Sequence, residues 1–243
     1  MSVKYLPCGD CGITVHFGSE INEEINSRVT RFTAAAENAK ITGVTEYIPA
    51  FCSVTVIYDP LETTQKELIK QLKKVRKNRT AGNDFKPVLY RIPVCYDDEF
   101  APDIDSVEKI TGLTKEEIID IHTSRDYPIY MLGFLPGFPY LGNMDARITA
   151  PRLETPRVKI PRGSVGIGGN QTGIYPSDSP GGWRLIGKTP VRVYDERKTD
   201  PILYRAGDYI RFVKISKADF LRIDSECEKG TYTAEREEVR RGN

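Results

Sequence analysis

The sequence predicts an α+β protein with two domains, the first mixing helices with strands and the second made mainly of strands. Its 243 residues are enough for one large domain or two small ones. Hydrophobic residues make up 39% and charged residues 28%, which is typical of a folded globular chain. The residue pattern also changes along the chain, because glycine and proline become frequent and helical periods disappear after residue 127. We place the boundary after residue 84, giving domains 1–84 and 85–243.

The first domain is predicted from alternating and helical hydrophobic patterns. Ile13, Val15 and Phe17 alternate with polar residues, as on a strand with one buried face. Ser19 is a candidate N-cap for the first helix, and Thr64 and Glu67 form a capping box for the second. Further strands are predicted over residues 44–50, 53–58 and 88–94. The resulting order β-α-β-β-α-β is that of the ferredoxin-like split βαβ unit.

Two short helices and a series of short strands are predicted next. Asp105 and Thr114 are candidate caps for the helices, and Gly112 is a C-terminal stop between them. Strand candidates lie at 129–132, 165–168, 183–186, 191–194 and 209–215. Many short strands separated by Gly and Pro favour a closed or nearly closed β-barrel, or a sandwich. Residues 224–243 read as a mixed-charge tail of unpredicted order, and the polar residues 80–84 as an interdomain joint.

Charge and composition argue against several classes of protein. The 35 basic and 34 acidic residues leave a net charge of +1, which provides no overall field for nucleic acid. No apolar run approaches the roughly 18 residues of a membrane span. The first residues lack a secretory signal and the five cysteines are an odd number, so we expect a reduced, cytoplasmic protein. The basic run at 70–79 is interpreted as a solvated helix end, in preference to a phosphate site.

Two motif matches are interpreted as coincidental. Cys8 and Cys11 form a CxxC, but zinc would need two further ligands and a redox pair should open a helix, so we expect no metal. Residues 182–189 match the phosphate-loop expression GxxxxGK[ST]. That loop must lead into a helix, whereas Pro190 and an alternating run follow here. We therefore expect no helix at this point.

Three glycine-rich segments with interleaved aromatic residues are candidates for a ligand site. They are GFLPGFPYLG at 133–142, GSVGIGGNQTGIYP at 163–176 and SPGGW at 179–183. Glycine lets backbone amides approach a ligand, and aromatic rings supply apolar walls. Gln171, Thr172, Tyr175, Arg152 and Arg157 add polar groups able to hold a small anionic or amide ligand. The alternative, tight corners of a small barrel, stays open.

These segments also carry a resemblance to a known family. Together with APRLETPR at 150–157 and SPGGWRLIGKTP at 179–190, they resemble the KipI/PxpB family, also called allophanate hydrolase subunit 1 or subdomains C and D of a carboxyltransferase. Gly9-Asp10 and Gly207-Asp208 extend the resemblance to nearly the whole chain. It implies an α/β domain followed by a cyclophilin-like β-barrel, in agreement with the two predicted domains.

The resemblance implies a subunit of an ATP-dependent 5-oxoprolinase, which opens the lactam of 5-oxoproline to L-glutamate. The implied partner is an allophanate hydrolase subunit 2-type protein (PxpC/KipA), and the implied cofactor is ATP with Mg²⁺, bound jointly with that partner. No nucleophile, base and orienting group are visible together in this chain, which is consistent with a site completed by a partner. Two alternatives remain: an inhibitor of a sensor histidine kinase, and a substrate-binding subunit of a related amide or urea hydrolase or carboxyltransferase.

Candidate site residues follow from the motifs and the resemblance together. His122, one of only two histidines, is the candidate proton shuttle, and Gln171 is the second catalytic candidate. A structural role for a lone helix histidine is the competing interpretation. The candidate substrate-binding residues are Phe138, Tyr140, Arg152, Arg157, Thr172, Tyr175 and Trp183.

Overall fold

The chain folds into two compact units, residues 1–86 and 87–243. The structure is a computed structural model that describes residues 3–78 and 86–239. Five helices and fourteen strands lie within these described residues, so the protein is a mixed α/β structure. The predicted joint at 80–84 and the predicted boundary after residue 84 lie outside the described residues.

The first unit is an antiparallel four-stranded sheet with two helices. Its elements are β1 (Lys4–Pro7), β2 (Gly12–His16), α1 (Glu23–Asn38), β3 (Val44–Pro49), β4 (Ser53–Tyr58) and α2 (Gln65–Lys77). The strand order is β1-β2-β4-β3. Ile13 and Val15 are fully buried, as their alternation predicts, and they share a hydrophobic core with Val29 of α1 and Leu68 of α2.

Both helices of this unit begin at a side-chain cap. Thr64 caps α2 as predicted, its side chain accepting the Glu67 N–H at 3.3 Å. The predicted Ser19 cap is wrong, because α1 begins after Asn22, whose Oδ1 accepts the Ile25 N–H at 2.9 Å. Ser19 and Asn22 are both good N-cap residues, and the hydrophobic period does not distinguish them.

The second unit contains three sheets and three helices. Its elements are β5 (Val88–Val94), α3 (Ile104–Thr111), α4 (Lys115–Thr123), β6 (Tyr127–Leu132), β7 (Pro139–Leu141), β8 (Arg157–Ile160), β9 (Ser164–Gly168), β10 (Gln171–Ile174), β11 (Ser179–Gly181), β12 (Arg184–Lys188), β13 (Tyr209–Lys214), α5 (Lys217–Glu228) and β14 (Glu235–Glu238). The sheets run β14-β5-β13-β6-β7, β10-β9-β12 and β11-β8. Across the described residues, these hydrogen-bonded sheets do not close into one barrel.

Strand β5 does not join the sheet of the first unit, so the six-element β-α-β-β-α-β prediction is wrong at its last strand. Residues 88–94 form a strand as predicted, but β5 pairs in parallel with β13 and antiparallel with β14. Its buried side chains Ile92 and Val94 belong to the core of the second unit. In the first unit, β1 occupies the sheet edge beside β2. A hydrophobic pattern predicts a strand but does not specify its partner.

Two other local predictions are corrected. Residues 191–194 form no strand; only Tyr194 makes an isolated bridge, to Ile202, and the Val191 N–H donates to the Thr189 hydroxyl at 3.2 Å. Helix α3 begins after Asp103 and is not capped by Asp105.

The last predicted segment also differs. Helix α5 lies where no long helix was expected, and strand β14 lies in the tail whose order was not predicted. Phe220 and Ile223 of α5 are buried, which supplies the apolar face that the mixed charge of this segment obscures. No helix among residues 3–78 and 86–239 has the length and apolar character to cross a membrane.

Candidate functional site

Five aromatic side chains of the second unit line a cavity of about 290 Å³, four of them as its walls and the fifth, Phe134, at its mouth. Phe138 lies at the centre, with its ring centroid 5.1 Å from Tyr140, 5.2 Å from Tyr175 and 5.4 Å from Trp183. The rings meet edge to face or tilted, which is the favourable arrangement for aromatic pairs. Phe138, Tyr175 and Trp183 are each at most 4% exposed. The cavity therefore has rigid, apolar walls.

Strands β9 and β10 support these rings because two of their residues lack a Cβ atom. A Cβ on Gly168 would lie 2.4 Å from the Trp183 indole nitrogen, and one on Gly173 would lie 3.1 Å from the Trp183 ring. The indole thus lies directly on the backbone of the sheet. Glycine at these two positions is required for the wall of the cavity as well as for the strands.

The mouth of the cavity is more polar and more exposed than its walls. Arg152 is exposed and lines the cavity, and Phe134 is 62% exposed at the same opening. Pro156 and residues 180–182 complete the rim. A guanidinium beside an aromatic cavity suits a small ligand that carries both an apolar ring and a carboxylate.

Arg157 has a different environment from Arg152 and does not line the cavity. Its Nη2 donates to the Asp103 carboxylate at 2.7 Å, and the second carboxylate oxygen of Asp103 accepts the Leu185 N–H at 2.7 Å. The Nη1 atom of Arg157 is buried and has no hydrogen-bond partner among the described residues. Arg157 is therefore an ion-paired residue that links β8 to the start of α3.

His122 lies in the core, with both ring nitrogens hydrogen-bonded. Its Nδ1 lies 2.8 Å from the Tyr96 hydroxyl and its Nε2 lies 2.9 Å from the Thr172 hydroxyl. The Thr172 hydroxyl donates to the Gly166 carbonyl at 3.0 Å, so it must accept from Nε2–H, and Nδ1 must accept from Tyr96. The imidazole also stacks on Phe212 at 4.4 Å between ring centroids. Burial lowers the pKa of His122 to about 3, so the ring is neutral at physiological pH.

The structure brings together five of the nine predicted site residues. Those lining the cavity are Phe138, Tyr140, Arg152, Tyr175 and Trp183. Thr172 is fully buried and faces His122, while Gln171 is half-buried opposite Gly168 at the start of β10. Strand β10 connects His122 to the aromatic cavity, because its Thr172 contacts the histidine and its Gly173 underlies Trp183.

Sequence reasoning missed three residues of this region. Tyr96 fixes the His122 ring, Asp103 pairs with Arg157, and Phe134 lines the cavity mouth. Phe134 lies within the glycine-rich segment 133–142, directly after Gly133. This position in a candidate ligand segment could have marked it as a site residue. Tyr96 and Asp103 had no local signal, because their partners lie 26 and 54 residues away.

The two motif matches interpreted as coincidental lie in a strand and in a short connection between strands. Residues 184–188 form strand β12, which pairs with β9, so the phosphate-loop match is followed by no helix. Cys8 and Cys11 are exposed free thiols between β1 and β2. Among the described residues, no group of three or more His, Cys, Asp or Glu side chains could hold a metal ion.

The fold and the site now identify the class of protein. Residues 3–204 match the family model described as the carboxyltransferase domain, subdomain C and D, and the chain belongs to this family. It is 44% identical over 236 residues to the 5-oxoprolinase B subunit of Bacillus subtilis (strain 168), covering 90% of this chain and 97% of that protein. Identity to the 5-oxoprolinase B subunit of Escherichia coli O157:H7 is 35%, over 84% of this chain and 93% of the relative.

Solved structures agree with this assignment. The crystal structure of TTHA0988 matches with a TM-score of 0.75 and 35% identity, covering 84% of this chain and 39% of that one. The conserved protein PH0987 from Pyrococcus horikoshii matches with a TM-score of 0.53 and 44% identity, covering 89% of this chain and all of PH0987. This chain therefore spans about two fifths of TTHA0988 and the full length of PH0987.

Proposed function

We propose that this chain is the B subunit of an ATP-dependent 5-oxoprolinase, which opens the lactam of 5-oxoproline to L-glutamate together with a partner of the allophanate hydrolase subunit 2 type. The names and coverage of the bacterial relatives support the reaction. The observation that carries the proposal to particular residues is the aromatic cavity with Arg152 at its mouth.

The chemistry of 5-oxoproline matches this cavity. The molecule is a nearly flat five-membered lactam with a single carboxylate. In the proposed complex the ring packs against the Trp183 and Tyr140 side chains, and Arg152 binds the carboxylate through paired N–H donors. The buried walls exclude water from the ring faces. Contact with the walls also orients the amide carbon towards the groups that react with it.

An unactivated lactam opens slowly at neutral pH, and ATP bound in the complex would supply the phosphoryl group that activates the amide oxygen. The described residues do not fit a nucleotide site, because the amides of β12 are hydrogen-bonded to β9 and no carboxylate cluster is available for Mg²⁺. We therefore assign ATP and Mg²⁺ to the partner subunit, or to residues that it shares with this chain. The free thiols of all five cysteines support action in the reducing cytoplasm.

The catalytic candidates take distinct roles in this proposal. His122 acts through Thr172 and holds β10 behind the cavity wall; its enclosed, neutral ring makes it a positioning residue. For Gln171, on the same strand but not among the residues that line the cavity, we propose binding of the lactam amide at the interface with the partner. Arg157 holds the β8 end of the rim through Asp103.

We also propose an assignment of each of the two units to a known fold. The first unit corresponds to a ferredoxin-like domain and the second to a cyclophilin-like domain. The antiparallel four-stranded sheet with two helices supports the first half of this assignment. The three strand-rich sheets of the second unit support the other half.

The test reconstitutes the complex from this chain and the allophanate hydrolase subunit 2-type protein of the same organism. With ATP, Mg²⁺ and 5-oxoproline, we expect ADP and glutamate to form together, and Arg152→Ala to raise the KM for 5-oxoproline about tenfold. The control is Arg147→Ala, since Arg147 is exposed and pairs locally with Asp145. A complex that forms no glutamate, while the chain alone inhibits a histidine kinase, would support the antikinase alternative instead.

A further inference from the structure

Phe134 occupies a backbone conformation that phenylalanine rarely adopts. Its φ is +64°, in the left-handed region that favours glycine. The Leu135 N–H donates to the Gly133 carbonyl at 2.7 Å, which closes a three-residue γ-turn centred on Phe134. The γ-turn with positive φ at its centre is the rare and strained form. A glycine at this position would remove the strain.

The surrounding loop fixes the backbone of the turn that carries Phe134. The Gly133 N–H donates to the Phe138 carbonyl at 3.2 Å, and the Phe138 N–H donates to the Leu135 carbonyl at 3.0 Å. The Tyr204 hydroxyl, which is buried, donates to the Gly137 carbonyl at 2.9 Å. These bonds close both ends of the turn, so its conformation is determined by the loop as a whole.

The ring itself gains little from folding. It is 62% exposed, and its main aromatic contact is an edge-to-face approach to Phe138 at 5.8 Å between centroids. A large apolar side chain that is both exposed and strained stabilises the isolated chain less than a glycine or a polar residue would. Exposure and backbone strain at the same residue point to a contact with something outside the chain.

The position of the ring indicates what that contact is. Phe134 lines the mouth of the cavity whose wall is Phe138, on the same opening as Arg152. A ligand seated on the aromatic walls with its carboxylate at Arg152 would present its remaining ring face to Phe134. A flat protein partner would instead need a wider apolar patch. Among the described residues that line this cavity, Phe134 is the one large exposed hydrophobic residue, which favours a small ligand.

We infer that Phe134 is a specificity-determining residue that covers the bound 5-oxoproline ring and limits the cavity to five-membered lactams. This inference rests on the function proposed above and adds a residue and a size limit to it. A six-membered homologue, 6-oxopiperidine-2-carboxylate, carries one more methylene and would press against the Phe134 ring.

The experiment uses the complex with its partner and compares Phe134→Gly with the wild type. Because glycine relieves the strained turn, we expect the thermal midpoint to stay the same or rise. We expect the KM for 5-oxoproline to rise about tenfold with kcat within twofold of the wild type. The selectivity for 5-oxoproline over the six-membered homologue, measured as the ratio of kcat/KM values, should fall at least fivefold. The control variant is Leu221→Ala, a 57% exposed residue of α5 outside the cavity.

A second measurement follows binding without turnover. Trp183 is the only tryptophan of this sequence and lines the cavity, so the fluorescence of the full chain by itself reports titration of 5-oxoproline. The affinity of Phe134→Gly should fall by the same factor as KM rises. Unchanged KM and selectivity in a variant that is as stable as the wild type would overturn this inference alone. A wild-type complex that neither binds nor converts 5-oxoproline would overturn the proposed function, and this inference with it.

Discussion

At the residue scale, His122 illustrates how surroundings determine the role of a titratable side chain. A histidine near glycine-rich motifs suggests a proton carrier, because its ordinary pKa lies close to neutrality. Here the ring is fully buried, donates to Thr172, accepts from Tyr96 and stacks on Phe212. Protonation would require a second donor at Nδ1, where the Tyr96 hydroxyl would have to reverse its hydrogen bond. The folded protein therefore holds the neutral form.

This environment predicts a specific dependence of stability on pH. The pKa of His122 is about 3 in the folded chain and about 6.5 when unfolded. Below pH 6.5 the unfolded chain binds a proton that the folded chain does not, so the contribution of His122 to stability is lost as pH falls. We expect it to fall by about 2 kcal/mol between pH 7 and pH 5.

The measurement is the free energy of unfolding of the wild type and His122→Gln, by urea titration at both pH values. Glutamine retains a donor for Thr172 but does not titrate, so the variant should lack this part of the pH dependence. Equal pH dependence in the two proteins would show that His122 binds a proton as readily in the folded state as in the unfolded state.

At the element scale, the cavity depends on strands that carry no side chain where the tryptophan ring lies. Gly168 ends β9, and a Cβ there would meet the Trp183 indole at 2.4 Å. The next residue, Gly169, has open space around its Cβ position but a φ of +67°. The two neighbouring glycines are thus needed for different reasons, close packing in one case and backbone conformation in the other.

Alanine substitutions should separate these reasons. Gly168→Ala should displace the indole, shift the Trp183 emission and raise the KM for 5-oxoproline, because the wall of the cavity moves. Gly169→Ala should cost about 1 kcal/mol of stability through backbone strain, with the emission unchanged. Emission spectra and urea titrations of both variants provide the comparison, and a normal emission in Gly168→Ala would contradict the packing seen around Trp183.

At the scale of the whole molecule, each unit has its own hydrophobic core. Leu72 of α2 is fully buried in the core of the first unit, and Ile92 of β5 is fully buried in that of the second. These cores share no residue among the described parts of the chain. Trp183 belongs to the second unit, so tryptophan fluorescence follows the unfolding of that unit only.

This division predicts that core substitutions act on one unit at a time. Leu72→Ala should destabilise the first unit by about 2–5 kcal/mol, through lost burial and the cavity left behind. The transition followed by circular dichroism should then move to lower urea, while the Trp183 transition stays in place. Ile92→Ala is the matched control and should move the Trp183 transition. If Leu72→Ala moved it equally, the two units would unfold as one.

Much of the secondary structure was predictable, because local patterns carry the information that helices and strands need. The cap predicted at Thr114 is present and forms a capping box, with the Glu117 carboxylate accepting the Thr114 N–H at 2.8 Å. Gly112 ends α3 in the left-handed conformation. Helix α5 was missed because its buried face is narrow and its exposed face is heavily charged. Apolar and polar side chains alternate over residues 191–194 as they do in a strand. The segment forms no strand, because its hydrogen bonds include a bond to the Thr189 side chain and a single isolated bridge to Ile202.

The sequence by itself determined the family, through motifs at 133–142, 163–176 and 179–190, and it determined the local period of most strands and helices. Only the tertiary structure decided which strands pair and which motif residues meet. The aromatic wall joins Phe138 to Trp183 across 45 positions of the chain, whereas His122 is buried beneath the same strands. Local patterns follow from backbone hydrogen bonding and the burial of one face, which neighbouring residues specify. The meeting of distant residues depends on packing free energies summed over the whole core, and no short segment contains that sum.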